Sequence, residues 1–300
     1  MLFRSAVRAF VDVAEVAARL GDHRREAAML GNLGGISRER SRYAEARSYS
    51  LRALEMHVAS GSAHYAASCL ITLSTLANDM GEPAEALEHA RRAEAIYRDL
   101  HDAEGTGAAL MVAIDAMVKL GRPYAEIDPA YQEALGIYQR VRSMIGQSAL
   151  LTSVSGAALA DGRAVEALDM AERANTYVGP ANNPGLRVSA LLARGRAHRA
   201  MDNRDAAWAD FELAESESRR LGLPNGAASA LNERAGILIA DGAIDPARRL
   251  ALEARALAER PADVATAERI IAATTPKPET SAVSVPAAAK PAPGPRVSRG

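Results

Sequence analysis

The chain has 300 residues with 36 basic and 37 acidic side chains, a hydrophobic fraction of 48% and an aromatic fraction of only 4%. This balance of charge gives the whole chain no electrostatic reason to bind nucleic acid or an anionic membrane. Its single cysteine, Cys69, excludes an intrachain disulfide and a cysteine zinc cluster. No apolar run reaches the roughly 18 residues that a membrane span requires, so we expect a cytoplasmic protein.

The first predicted element is an amphipathic helix near 3–20. Its apolar side chains recur at helical spacing, and Arg8 and Asp12 interrupt any continuous apolar region, which argues against a secretion signal. Ala6 precedes Ala46 by one repeat period, so residues 1–20 correspond to the second half of a repeat unit. This position predicts either that the native chain once extended upstream or that the half-repeat acts as an N-terminal capping helix. Its exposed face would also allow oligomerisation.

Residues 21–260 are organised as six copies of a unit of forty residues, with one slip to 41 near Arg122–Pro129. A period of this length is typical of a repeat array in which helix pairs stack on their neighbours. The leucine column reads Leu30, Leu70, Leu110, Leu151, Leu191 and Leu231. The turn column reads Ser41, Gly81, Gly121, Gly162, Asp202 and Gly242. An alanine column, which lets paired helices approach closely, reads Ala53, Ala93, Ala134, Ala174, Ala214 and Ala254.

The columns predict an all-α protein with two helices in each unit. The first helices are predicted near 25–39, 64–79, 104–119, 147–160, 186–200 and 226–240. The second helices are predicted near 43–59, 84–99, 127–142, 164–177, 204–220 and 245–259.

Two further segments follow the repeats. Residues 261–275 contain a short amphipathic pattern, which predicts a C-terminal capping helix equivalent to the first helix of a seventh unit. Residues 276–300 are rich in proline and alanine, and such a composition predicts a disordered tail because it cannot bury a core.

The repeated motif resembles the tetratricopeptide repeat family, in its forty-residue subclass. The first unit carries Ala27-x-x-Leu30-x-Asn32-Leu33-Gly34, and then Tyr43-x-Glu45-Ala46 and Ala53-Leu54. Similar segments begin at Gly81 and Gly162, so the resemblance covers about 1–274 and its specificity comes from repetition. The third unit departs from the pattern at Ala113 and Ile114, and the sixth at Arg234, which indicates shifted helices or a site there.

Arrays of this subclass look like the C-terminal halves of bacterial transcriptional regulators, namely actinobacterial antibiotic-pathway activators and MalT-type ATPase regulators. The resemblance implies a right-handed α-α superhelical solenoid with a concave groove lined by the first helices. It also implies a non-enzymatic scaffold that binds a protein or peptide in that groove, in transcriptional regulation or signalling. A sensor array that changes its superhelical pitch on ligand binding is the alternative.

The family geometry places a set of polar first-helix residues on the concave wall. Arginine side chains in this set suit a carboxylate, and asparagine amides suit an extended peptide backbone, so we expect an acidic or C-terminal peptide segment there. The set comprises Asn32, Arg38, Thr75, Asn78, Asp115, Thr152, Arg196, Arg199 and Asn232.

A search for catalytic or cofactor chemistry finds no supporting motif. The sequence has no phosphate-binding GxxxxGK[ST] loop, no HExxH zinc motif and no GxSxG nucleophile elbow. The six histidines do not form a metal-ligand cluster, and Trp208 is best explained by packing between units. The basic segment Arg25–Arg47 superficially resembles a DNA-binding helix-turn-helix, but the same geometry recurs elsewhere without basic residues. We therefore expect no catalytic residues, no cofactor, no metal and no direct contact with nucleic acid.

Overall fold

A computed structural model describes residues 2–275 of the chain. Within that range it contains fourteen α-helices and no β-strand. The first seven are α1 (Leu2–Arg19), α2 (His23–Glu39), α3 (Tyr43–Ala59), α4 (Ala63–Met80), α5 (Pro83–Asp99), α6 (Ala103–Lys119) and α7 (Tyr124–Arg140). The others are α8 (Met144–Ala160), α9 (Ala164–Asn182), α10 (Pro184–Ala200), α11 (Arg204–Leu221), α12 (Pro224–Ala240), α13 (Ile244–Leu257) and α14 (Pro261–Thr274). The predicted disordered tail lies outside the described residues.

Each even-numbered helix from α2 to α12 packs against the odd-numbered helix that follows it, and each pair packs against the next. The leucine column is buried between the helices in every unit, and the alanine column has no exposed surface at all. Small alanine side chains bring the helix axes close together, while leucine fills the groove that remains. The prediction of an all-α solenoid of stacked helix pairs is therefore confirmed.

The turns between helices rely on left-handed backbone conformations. All six residues of the turn column have positive φ, including the non-glycine residues Ser41 at 56° and Asp202 at 58°. The turns that connect one pair to the next repeat this conformation at Gly21, Gly61, His101, Arg142 and Gly222. Glycine adopts this region without the steric cost that a Cβ atom imposes, which explains its frequency in these columns.

The structure differs from the sequence prediction at the fourth unit. The second helix there, predicted to end near 177, continues as α9 to Asn182 and is interrupted at Gly179, which has φ 46° and ψ 167°. Only glycine tolerates this conformation readily, and it bends the chain within what the periodicity treats as a loop. The next helix begins earlier than predicted, at Pro184, where Asn183 Oδ1 accepts the Leu186 N–H at 3.0 Å.

The two units that depart from the sequence pattern are explained by packing. Ala113 and Ile114 are buried in the core of the third unit. Arg234 pairs with Glu215, and its guanidinium lies 4.3 Å from the ring centroid of Trp208. Burying this arginine against an aromatic ring and a carboxylate satisfies its charge between α11 and α12. Ala113 and Ile114 are thus accommodated in the core, and Arg234 is accommodated between α11 and α12.

The first helices surround a central axis. Each of α4, α6, α8, α10, α12 and α14 contacts the next, and α14 also contacts α4. Ser41 Oγ donates a hydrogen bond to Glu259 Oε2 at 3.3 Å, which joins the turn after α2 to the segment before α14. The array therefore curves until its C-terminal end meets its N-terminal units. At the N-terminal end of the chain, Val13 and Val16 of α1 and Leu20 just after it are exposed, with Leu20 at 75%.

Candidate functional site

The concave wall of the solenoid is formed by the first helices, and its polar side chains bond from one unit to the next. Partners in these contacts lie between 37 and 41 residues apart, close to the repeat period, because equivalent positions of neighbouring units stack. Stacking of this kind places polar side chains of adjacent first helices in contact along the groove. We call those on α2, α4, α6 and α8 the N-terminal strip and those on α10 and α12 the C-terminal strip.

The N-terminal strip brings together three predicted residues, Arg38, Asn78 and Asp115. The guanidinium of Arg38 contacts Asp79 Oδ2 at 2.9 Å. Lys119 Nζ donates to the backbone carbonyl of Asn78 at 2.7 Å, and Ser153 Oγ donates to Asp115 Oδ1.

Two groups of the N-terminal strip have perturbed pKa values, and loss of hydration is the largest cause of each shift. Burial raises the pKa of Asp115, while the bond from Ser153 and the charge of Lys119 act in the opposite direction. Burial lowers the pKa of Lys119, and the nearby Asp79 and Asp115 carboxylates partly restore it. By solvent-accessible surface Asp115 is half-buried, whereas the Lys119 side chain is exposed, so the aspartate is the enclosed group of this pair.

The C-terminal strip contains two more predicted residues, Arg196 and Arg199, which share one counter-ion. Arg196 Nε contacts Glu233 Oε1 at 2.5 Å, and Arg199 Nη1 contacts Glu233 Oε2 at 2.5 Å. Both arginines keep more than two fifths of their side-chain surface exposed, whereas the glutamate is largely covered. Two guanidinium groups therefore hold the two oxygens of a single carboxylate at the groove surface.

A small polar cavity of about 160 Å³ lies beside the C-terminal strip. Thr152 and Arg196 line it together with Ser189, Ser229 and Arg260. Arg260 Nε donates to Asp263 Oδ2 at 2.8 Å, and its Nη2 lies 3.3 Å from Ser229 Oγ. The segment before α14 thus contributes a third guanidinium to this part of the groove.

Thr75 and Asn232, and the side chain of Asn78, offer less to a ligand than expected. The Thr75 hydroxyl donates to the carbonyl of Ile71 in its own helix at 2.9 Å. Asn78 and Asn232 are only 6% and 5% exposed, and Asn232 Nδ2 donates to the carbonyl of Asp263 at 3.0 Å. Here the structure differs from the expectation that these asparagine amides face an extended peptide, because neighbouring first helices cover them.

Asn32 lies apart from both strips, at the N-terminal end of the groove. It is exposed and lines a cavity of about 680 Å³ between α1, α2 and α4. The other walls include Phe10, Gly31, Gly35 and Tyr65.

Sequence reasoning missed several charged partners in the two strips, namely Asp79, Lys119, Glu233 and Arg260. Asp79 and Lys119 stand forty residues apart, so a search of the repeat columns for opposite charges would have indicated them. Arg260 had no such signal, because its place in the groove depends on the curvature of the whole array.

The described residues were compared with the requirements of a metal site and of a membrane-spanning helix. They contain no group of three or more histidine, cysteine or acidic side chains arranged to hold a metal ion. None of the helices in residues 2–275 is long and apolar enough to cross a bilayer.

Comparison with known proteins supports the repeat architecture. Residues 25–99 match the tetratricopeptide repeat family. No curated protein matches the chain in sequence. A Rap protein solved in complex with competence and sporulation factor is similar in structure, with a TM-score of 0.63 and 16% identity over 86% of this chain and 74% of that chain.

Two further structures share the fold. A signal transduction ATPase with numerous domains and a tetratricopeptide repeat sensor, from Pyrococcus horikoshii, has a TM-score of 0.60 and 13% identity, covering 83% of this chain and 37% of that one. A tetratricopeptide repeat protein from Parabacteroides merdae has a TM-score of 0.58 and 16% identity, covering 90% and 99% of the two chains. These likenesses establish a tetratricopeptide-like solenoid fold, and repeats of this kind typically mediate protein–protein interactions.

Proposed function

We propose that this chain is a non-enzymatic scaffold whose concave groove binds an acidic or C-terminal segment of a partner protein. The observation that carries the proposal is the pairing of Arg196 and Arg199 with the single carboxylate of Glu233. A ligand carboxylate that replaces Glu233 would meet the same two guanidinium groups in the same geometry. Charge-assisted bonds of this type contribute roughly 1.5–3 kcal/mol each, less the cost of displacing the internal partner.

Two further observations support a role in transcriptional regulation or signalling. The repeat motifs resemble those of bacterial regulators, and structures of similar fold include a Rap protein bound to competence and sporulation factor and a sensor-bearing signal transduction ATPase. Together the two polar strips extend over several units, so an extended peptide could contact side chains of each unit in turn. A solenoid groove gains affinity from many such modest contacts.

The first experiment uses peptides selected from a random library on the immobilised chain, with dissociation constants measured by calorimetry. The E233Q variant leaves Arg196 and Arg199 without their internal carboxylate, so we expect it to bind an acidic peptide several-fold more tightly than the unmodified chain. The triple variant R196A/R199A/E233Q differs from E233Q only in the two arginines, and we expect it to lose more than ~1 kcal/mol of binding free energy.

The matched control is R91A/R92A on α5, whose two arginines are exposed on a second helix. It should bind the peptide as the unmodified chain does and should melt at the same temperature. Equal affinities for E233Q, the triple variant and the control would remove the C-terminal strip from the proposed binding site. The double variant R196A/R199A alone is less informative, because it leaves the largely covered Glu233 carboxylate without a counter-ion.

A sensor that changes its pitch on binding is the second candidate function. The contact of α14 with α4 and the bond between Ser41 and Glu259 favour it, because a change of pitch would separate two ends that now touch. Small-angle scattering with the selected peptide distinguishes the two functions. A scaffold keeps its radius of gyration on binding, whereas a sensor changes it, and an unchanged scattering curve at saturation would exclude the sensor.

A further inference from the structure

The cavity at the N-terminal end of the groove arises from two departures from the repeat pattern that meet at one place. On the face of α2 that looks onto the groove, the positions of Gly31 and Gly35 are both glycine. At the equivalent positions the later units have the pairs Ile71 and Thr75, Met111 and Asp115, Thr152 and Gly156, Leu192 and Arg196, and Asn232 and Gly236. Only the first unit lacks a side chain at both positions.

Neighbouring side chains do not fill the space beside these two glycines. A Cβ atom built on Gly35 would meet nothing within 4 Å, and one built on Gly31 would meet only Cys69 Sγ at 3.9 Å. Gly34, between them, is different, because a Cβ there would lie 2.3 Å from Ser50 Oγ, where α2 packs on α3. Gly34 therefore serves packing, whereas Gly31 and Gly35 open the cavity.

The second departure is Tyr65, at the start of α4. In the next two units this position is Gly105 and Gly146, and each is covered by a tyrosine of the preceding helix, Tyr97 or Tyr138. In the unit that contains Tyr65, the position equivalent to Tyr97 and Tyr138 is His57. The His57 ring stacks on the Tyr65 ring, with 5.2 Å between the ring centroids and an angle of 22° between the ring planes. Tyr65 is 47% exposed.

The walls of the cavity indicate a neutral aromatic occupant. Among the described residues that line it, none carries a carboxylate, ammonium or guanidinium, and Phe10, Tyr65 and His57 contribute rings. His57 is 2% exposed, and burial followed by the charge of Arg24 lowers its pKa, which favours the neutral ring. The bare backbone face at Gly31 and Gly35 offers a flat surface opposite these rings, and aromatic groups pack well in offset or edge-on contact with such partners.

We propose that this cavity binds an aromatic side chain of the peptide segment that occupies the groove, and so anchors one end of that segment. The proposal rests on the proposed function for its ligand, but it concerns a different part of the groove from the C-terminal strip. Asn32 at the cavity wall is exposed and its amide is placed to bond the backbone that follows the anchoring side chain.

The first test titrates the full chain with N-acetyl-L-phenylalaninamide and follows the backbone amide resonances of α2 and α4 by NMR. We expect shifts concentrated at Gly31 and its neighbours, and binding at least fivefold tighter than that of N-acetyl-L-lysinamide. In the G35L variant the added Cβ meets nothing within 4 Å, and the rest of the leucine side chain should occupy the cavity. We expect it to weaken binding of the phenylalanine amide at least tenfold while melting no lower than the unmodified chain.

The control variant is G136L on α7, where an added Cβ meets only Arg140 Nη1 at 3.5 Å, outside the cavity. It should bind the phenylalanine amide normally. Equal affinity of G35L and G136L for this probe, or equal affinity of the chain for the two amides, would overturn the proposal.

A second arm distinguishes a peptide anchor from a site for a free aromatic molecule. Replacing the aromatic residue of a selected groove peptide by alanine should weaken binding at least tenfold to the unmodified chain and have little effect on binding to G35L. If both chains lose the same factor, the cavity does not anchor the peptide. The E233Q and triple-variant measurements are unaffected by this result, so failure of the anchor and failure of the groove proposal can be told apart.

Discussion

Leu151 illustrates how a single side chain couples neighbouring units. It has no exposed surface and belongs to a core cluster that includes side chains of α6, α7, α8, α9 and α10. We expect Leu151→Ala to cost ~2–5 kcal/mol, because it leaves a cavity that tightly packed helices cannot close. Calorimetry should also show a broader transition, since the two halves of the array would then melt less cooperatively.

The control for this prediction is Ser62→Ala, in the turn before α4, where the side chain makes only an exposed contact with Ser60. It should melt within experimental error of the unmodified chain. A Leu151→Ala melting curve that is equally unchanged would mean that the leucine column does not form the core between units.

Residue-scale features were only partly predictable from sequence. The buried columns followed from periodicity, because one face of each helix must meet its neighbour. The pairing of Arg196 and Arg199 with Glu233 did not, because it depends on the offset between stacked helices and on side-chain rotamers. The sequence showed which side chains could face the groove, and the structure showed which of them already hold a partner.

The helix-connecting turns give a prediction at the scale of elements. Arg142, between α7 and α8, is exposed and has φ 55°, a conformation that costs a residue with a side chain roughly 1–2 kcal/mol. Glycine also gains entropy in the unfolded chain, by roughly 0.4–1 kcal/mol. We therefore expect Arg142→Gly to raise the free energy of unfolding by about 0.5–1 kcal/mol, measured by urea denaturation.

The same substitution inside a helix should have the opposite sign. Arg92 lies exposed in the middle of α5, so Arg92→Gly should lower the free energy of unfolding by about 1 kcal/mol. If both variants were destabilised equally, the positive φ at Arg142 would be contradicted.

Most helix boundaries lie close to their predicted positions, with α7 beginning at Tyr124 instead of 127 and α9 ending at Asn182 instead of 177. The turn column repeats glycine in four of its six units, and the positive φ found at those glycines is also found at Ser41 and Asp202. The extension of α9 beyond 177 was not foreseen, because Gly179 lies inside a segment whose spacing alone does not distinguish a kinked helix from a loop.

At the scale of the whole molecule, the curvature of the array determines what the groove can hold. Repetition predicts stacking of neighbours, but the closure of α14 on α4 results from small rotations summed over many units. Arg260 lines the same small cavity as Thr152 and Arg196, residues more than sixty positions earlier in the chain. No local pattern in the sequence encodes such a contact.

Hydrogen exchange with a selected groove peptide, measured by mass spectrometry, tests the central claim most directly. If the concave groove binds the partner segment, slower exchange should appear on the first helices, above all α2, α4, α10 and α12, while α5, α7 and α11 on the outer layer keep their rates. Protection confined to those outer helices, or to the exposed face of α1, would contradict binding in the groove.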